Sequence, residues 1–196
     1  MARESQRRAL GEGPVRIGAV VALSAAVAFL LWLLVRNRDD DSSTTGTTTT
    51  ATTRGANLVV AATLPRLRRL QTVVGHPIYW AGARRGVTYE LTQTRDGRIY
   101  IRYLPRGVKV GDRKGGYLIV GTYPVPNAYK AVQTAARQNG AHTLGLGSRG
   151  LAVYNDTSAT NIYFAEPGSD YQVEVYEPNA ARARALVTSG AIRPIR

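Results

Sequence analysis

The chain contains no cysteine. That removes disulfide staples, thiol nucleophiles and a lipid-modified cysteine, and it leaves the fold to rest on packing alone. Histidine is scarce as well. His76 and His142 stand apart from each other and from other ligand types, whereas a zinc site takes three or four Cys, His or carboxylate ligands. His76, before Pro77, reads as a turn residue and His142 as a solvated loop residue. Neither a G-x-S-x-G elbow nor a G-x-x-x-x-G-K-[ST] loop occurs, so serine-hydrolase and P-loop chemistry have no motif to rest on. Acids are few, 13 against 26 Lys and Arg, for a net charge of +13. No cofactor-binding or metal-binding set emerges, and an enzyme is the less favoured reading.

Charge is missing altogether from residues 17–35. As a helix this run is about 28 Å long, close to the roughly 30 Å hydrocarbon core of a bilayer, and it reads as one transmembrane helix. Arg3, Arg7, Arg8 and Arg16 precede it and only Arg36 and Arg38 follow closely, which places the N-terminal stub, residues 1–16, in the cytoplasm and the rest outside. The run ends in Leu-Leu-Val-Arg without a small-residue cleavage site, which favours an uncleaved signal-anchor over a signal peptide. Residues 36–54 read as an Asp- and Thr-rich disordered linker. Its stretch 42–53 holds eight threonines and nothing apolar larger than alanine, too little to offset the entropy of ordering it. As a flexible coil that stretch reaches roughly 20 Å, and its threonines could carry O-linked sugars.

Residues 55–196 have the size of one extracytoplasmic domain. A helix is expected over 64–74, where Leu67, Leu70 and Val74 recur at helical spacing behind Pro65, followed by a short strand at 78–81. The next hairpin has two possible registers. A two-residue Asp96-Gly97 turn mixes apolar and charged side chains on both faces, whereas a three-residue loop pairs Tyr89 with Tyr103, Glu90 with Arg102 and Leu91 with Ile101. The second register puts Val87, Tyr89, Leu91, Ile99, Ile101 and Tyr103 on the core face, and Glu90, Thr92, Arg98, Tyr100 and Arg102 toward solvent. Residues 117–123 are apolar on both alternations, as in an interior strand. Then Pro126-Asn127-Ala128 opens a helix to about Gln138, with Asn127 as its cap. Strands near 151–154, 161–165 and 171–176 follow, and a second Pro-Asn-Ala at 178–180 opens a helix through Thr188. The expected class is α+β, a largely antiparallel sheet with packed helices. The echo of Tyr, Pro-Asn-Ala and Ala-rich helix reads either as two β-β-β-α units or as convergent capping.

Gly145-Leu146-Gly147-Ser148-Arg149-Gly150 matches G-x-G-x-x-G by letter. A dinucleotide fingerprint needs a strand before it and a helix after it, however, and here the pattern predicts a helix before and a strand after. Asn155-Asp156-Thr157 is an N-glycosylation sequon in a host that uses it. Glu90, Asp112, Glu166, Asp170 and Glu174 are the acids available for a paired-carboxylate hydrolase acting on an envelope carbohydrate or peptide, the alternative function.

Charge is the unusual feature of the domain. Residues 55–149 hold fifteen Lys and Arg against three acids, whereas residues 150–196 hold four against five. Arg84, Arg85, Arg98, Tyr100, Arg102, Lys109, Arg113 and Lys114 form the candidate surface for an anionic partner, with an aromatic ring among the cations. Outside the cytoplasm that partner is an anionic envelope polymer or lipid; nucleic acid would lead only if the orientation were reversed. Pairing of the basic first unit with the acids Glu166, Asp170, Glu174 and Glu177 of a second copy would give a homo-oligomer. The sequence thus reads as a single-pass, membrane-anchored binding or scaffolding domain, and the Ala- and Arg-rich composition is that of a GC-rich bacterial genome.

Overall fold

The computed structural model describes residues 58–196; the stub expected at 1–16, the span expected at 17–35 and the linker expected at 36–54 lie outside them. Among the described residues no helix is long and apolar enough to cross a membrane. They form an α+β fold of three helices on a large antiparallel sheet. The ten strands of the described residues are β1 (Leu58–Ala62), β2 (Tyr79–Trp80), β3 (Val87–Gln93), β4 (Ile99–Pro105), β5 (Ile119–Pro124), β6 (Ala141–Gly145), β7 (Leu151–Asn155), β8 (Asn161–Ala165), β9 (Tyr171–Tyr176) and β10 (Arg193–Pro194). The helices are α1 (Leu64–Val74), α2 (Ala128–Ala135) and α3 (Ala180–Thr188).

Eight strands make one sheet in the order β1-β3-β4-β5-β9-β8-β7-β6, every neighbour antiparallel. β2 and β10 make a separate two-stranded ribbon. The β3–β4 hairpin takes the face-separating register, with Tyr89 opposite Tyr103, Glu90 opposite Arg102 and Leu91 opposite Ile101. β5 is central, between β4 and β9, which explains why its sequence is apolar on both alternations.

α1 has the boundaries its sequence predicts. The Thr63 hydroxyl accepts from the Arg66 amide, Pro65 sits in the first turn, and Gly75 closes the helix in the left-handed conformation. Its fully buried residue is Leu67, so truncation to alanine there costs about 2–5 kcal/mol. The second Pro-Asn-Ala behaves as expected, with the Asn179 side chain accepting from the Arg182 amide. The first does not. Asn127 is left-handed (φ 54°) and makes no side-chain cap bond; its own amide donates to Asp170 Oδ1 at 2.8 Å. Tertiary contact with the β8–β9 loop overrides the local capping preference.

The sheet has two unlike faces. One carries Leu91, Ile101, Tyr103, Val120, Phe164, Val173 and Val175, and packs with Leu67 of α1, the β2–β10 ribbon, and Ala183 and Val187 of α3 into a single core. The opposite face is covered by α2 over β7, β8 and β9. Over β3 and β4 it is covered by the 106–117 loop, through hydrogen bonds to Glu90 and Arg102. Three strands escape the sequence reading. β1 and β6 are the two edges of the sheet, where half-exposed residues give weak alternation, and β10 has only two residues.

Candidate functional site

The hairpin strands give the sheet a direction. At one end β3 begins and β4 finishes, Val87 lying opposite Pro105; the loop 81–86 leads into that end, and the loop 106–117 leaves from it and folds back over the hairpin. Arg84, Arg85, Arg106, Lys109, Arg113 and Lys114 are all exposed on these loops. Among the described residues none of the six has a carboxylate within ion-pair distance. This end is the basic pole.

Both loops are held by side chains of the sheet. On the core side, Tyr89 Oη accepts from the Arg84 amide at 2.8 Å, Tyr103 Oη accepts from the Ala81 amide at 2.7 Å, and the Arg84 guanidinium lies 5.2 Å from the centre of the Tyr103 ring. On the other side the post is Arg102. Its Nη1 donates to Glu90 Oε1 at 2.5 Å and to the Asp112 carbonyl at 3.0 Å, its Nη2 donates to the Lys114 carbonyl at 3.1 Å, and its guanidinium stands 5.4 Å from the Tyr117 ring centre. Glu90 Oε2 accepts from the Gly111 amide at 2.6 Å, and Asp112 Oδ1 from the Lys114 amide at 2.6 Å. Folded over its own strands, the 106–117 loop turns Lys109, Arg113 and Lys114 outward while spending Arg102 on the interior.

Of the eight candidate residues, Arg84 and Arg85 lie on the loop held from the core face, and Lys109, Arg113 and Lys114 on the loop held from the other face. Arg102 lies beneath the same loop, 17% exposed against 2% for Glu90; the expectation that both face solvent fails because the loop closes over that face. Arg98 is at the far end of the hairpin, half-buried, its Nε 2.7 Å from Asp96 Oδ2. Tyr100 is half-buried against Tyr123 (ring centres 5.5 Å apart, edge to face), and burial raises its pKa.

A second cluster lies on the same face, at the centre of the sheet. Glu174 is buried there. The Tyr123 hydroxyl donates to its Oε2, while Asn161 Nδ2 at 2.7 Å and the Tyr163 hydroxyl at 3.1 Å donate to its Oε1. Burial pushes the Glu174 pKa up, against the pull of these three donors, because a desolvated carboxylate is costly to charge. Tyr123 and Tyr163 are also raised, by burial first and then by the nearby Glu174. The cluster depends on Gly121, which lies directly opposite Glu174. A Cβ at Gly121 would lie 2.9 Å from the Tyr123 ring and hydroxyl, so only glycine lets Tyr123 lie flat across the strand pair. Beside it Gln172 is fully buried, and its amide nitrogen and oxygen have no hydrogen-bond partner among the described residues.

Sequence reasoning missed this cluster, because Tyr-Gln-Val-Glu-Val-Tyr reads as a strand with a solvated polar face. The available signal was Gly121, an isolated glycine within an apolar strand, which marks a close approach. Of the other candidate acids, Glu90 and Asp112 meet at Arg102, through the Glu90 carboxylate and the Asp112 carbonyl, while Asp170 and Glu166 lie apart. Asp170 holds the Asn127 amide, and Glu166 lies beside the Tyr79 hydroxyl. Among the described residues no three His, Cys, Asp or Glu side chains gather as a metal site.

Two minor expectations are corrected. His142 is not a loop residue: it lies in β6, stacks on Tyr154 with ring centres 5.1 Å apart, and its Nε2 is 2.6 Å from Asp156 Oδ1. A strand, β6, and not a helix precedes the G-x-G-x-x-G stretch, but strand β7 follows its short 3-10 turn, so no helix N-terminus receives a pyrophosphate. Gly150 has a packing reason instead, since a Cβ there would stand 2.0 Å from the Ala165 carbonyl oxygen. No protein family, curated protein or solved structure matches this chain.

Proposed function

We propose that this chain is a single-pass membrane protein whose C-terminal domain lies outside the cytoplasm and binds an anionic component of the envelope, without catalysing a reaction. The observation that carries the reading is the basic pole, six exposed cations on two loops that have no carboxylate paired to them among the described residues. Left unneutralised, such a cluster attracts polyanions over a range set by the Debye length, about 8 Å at physiological salt. The uncharged run at 17–35 and the arginines before it support the anchor and its orientation.

The test uses full-length protein in neutral phosphatidylcholine nanodiscs, titrated with long-chain inorganic polyphosphate at low and high salt. Binding should weaken steeply with salt and be lost when Arg85, Lys109 and Arg113 are changed to Glu together. Salt-independent binding, or binding untouched by the charge reversals, overturns the reading. Protease cleavage of the domain in intact cells or spheroplasts tests the orientation.

One observation favours a surface hydrolase instead, the raised pKa of buried Glu174. Hydrolysis of an envelope carbohydrate or peptide that disappears in Glu174→Gln would establish it. We also read the two halves as a pair of strand units, β1-β3-β4-β5 and β6-β7-β8-β9. The palindromic strand order about β5 and β9 supports this. The placement of α2 and α3 on opposite faces limits the repeat to the strands.

A further inference from the structure

The face of the sheet beneath α2 is polar. Along β9, Val173 and Val175 belong to the main core, and Gln172 and Glu174 alternate with them onto the face that α2 covers. Both are buried, Gln172 completely. The partners of Glu174 are all neutral: Tyr123 on β5, and Tyr163 and Asn161 on β8. Farther out on β4, Tyr100 stands against Tyr123, and the Arg98 guanidinium lies 5.8 Å from the Tyr123 ring centre, already paired with Asp96. The buried residues of α2 itself are Ala128, Val132 and Ala135, which bring no charge. Its Tyr129 and Lys130 lie outside that set, with Lys130 exposed.

In these surroundings the carboxyl is tolerated as the neutral acid. Ionising it leaves a charge cut off from water without a bonded cation, which is the costly case, and burial accordingly raises its pKa. Gln172 adds a second cost in the same layer. Among the described residues its amide nitrogen and oxygen have no partner, so the closed structure withholds water from a group that needs it. Both costs fall when water enters.

The strands cannot easily admit it. β5, β8 and β9 are interior, each bonded on both sides, and their reverse face is packed into the main core. α2 is the element able to give way. It has eight residues, too few to be stable as an isolated helix, and it buries only alanine and valine side chains. Its start lacks a side-chain cap and is tied instead to the β8–β9 loop, the Asn127 amide donating to Asp170 Oδ1 at 2.8 Å and the Ala128 amide to the Ser169 carbonyl at 3.1 Å. Beyond its end the chain turns at Gly140 (φ 74°) before entering β6.

We propose that α2 is a pH-operated cover, closed over the sheet while Glu174 carries its proton and lifted when the carboxylate forms. Opening hydrates Glu174 and Gln172 together, the proton passing to solvent, and it uncovers Tyr163 and the apolar side of the helix. The cations of the 81–86 and 106–117 loops take no part, so the switch is independent of what they bind. The closed form holds the proton more tightly than the open form. Closure is therefore strongest below the ordinary value near 4.5 and weakens as pH rises through the raised value of the closed form. Between those two values opening increases about tenfold per pH unit and then levels off. Ionisation of Asp170 acts in the opposite sense, because a carboxylate grips the Asn127 amide more strongly.

Hydrogen–deuterium exchange of the full-length protein in neutral phosphatidylcholine nanodiscs, followed from about pH 4.5 to 9 and corrected for the intrinsic rate, tests the cover. Segment 131–136 includes the Ala131 and Ala136 amides, which donate to the Asn127 and Val132 carbonyls. Its protection should fall by about tenfold or more over that range. Segment 99–105, whose Tyr103 amide donates to the Leu118 carbonyl, should stay at least about tenfold better protected throughout. Glu174→Gln should remove the pH dependence of segment 131–136. Protection of that segment that is flat or rises with pH overturns the proposal. So does equal protection of the two segments, which means that α2 leaves only when the whole domain unfolds, and so does an undiminished fall in Glu174→Gln. The first two outcomes are read from the wild-type protein alone, so the test holds even if the variant fails to fold.

Discussion

Glu90 and Glu174 are both buried on the same face of the same sheet, and the protein accommodates them in opposite ways. Glu90 has a full countercharge, Arg102, plus a backbone amide from the loop. Glu174 has three neutral donors and, among the described residues, no cation bonded to it. The first arrangement keeps a charge inside the protein and uses the arginine to carry a loop. The second lets burial raise the acid's pKa, so the proton is retained to higher pH. A buried carboxylate therefore reveals little by itself; its partners decide whether it acts as an anchor or as a titrating group.

The comparison breaks hardest at Arg102. Arg102→Met leaves Glu90 without its countercharge and should destabilise the domain by about 3–5 kcal/mol in urea unfolding. Adding Glu90→Leu should recover most of that loss, because the desolvation cost of the lone carboxylate disappears with it. The loop should also become protease-sensitive in Arg102→Met, since two carbonyl contacts are lost.

At the other carboxylate the glycine is the weak point. Gly121→Ala drives a methyl into the Tyr123 ring and displaces its hydroxyl from Glu174, for an expected loss of about 1–3 kcal/mol by the same measurement. Gln172→Leu should act in the opposite direction. It removes a buried amide that has no partner, and a thermal melt should show a gain of about 1–3 kcal/mol.

The pH dependence sharpens the contrast. Because the folded pKa of Glu174 lies above its unfolded value near 4.5, its contribution is fully present below that pH and is lost as pH rises through the raised folded value. Glu174→Gln should flatten this part of the stability-pH curve. Tyr79, Tyr100, Tyr103, Tyr123 and Tyr163 are all raised from 10.0, with burial the largest cause in each. Their contribution holds below pH 10 and declines above it, so unfolding in alkali should begin there and remain in Glu174→Gln. The smallest stability effect belongs to the pole. Arg85→Glu and Lys109→Glu touch no buried group and should shift stability by no more than about 0.5 kcal/mol, while changing polyanion binding strongly.

How far the sequence could be read follows from the range of the forces involved. Local signals were sufficient for α1, whose proline, apolar spacing and terminal glycine act within eleven residues. They also sufficed for the β3–β4 register, where a one-residue slip would mix the faces. The same reasoning failed at Asn127, at Arg102 and at His142. In each case the deciding partner is distant in sequence or belongs to a loop without periodicity: Asp170, the 106–117 segment, and Tyr154 with Asp156.

The sequence by itself determined the excess of positive charge, its concentration in the first half, the absence of thiol chemistry, the uncharged run at 17–35 and the α+β pattern of elements, because composition and short-range periodicity encode all of these. Only the tertiary structure decided which cations stay free. Closing the 106–117 loop over β3 and β4 removes Arg102 from the surface, and the joining of β5 to β9 buries Glu174 among tyrosines. Each depends on segments brought together across the sheet, which no local pattern specifies.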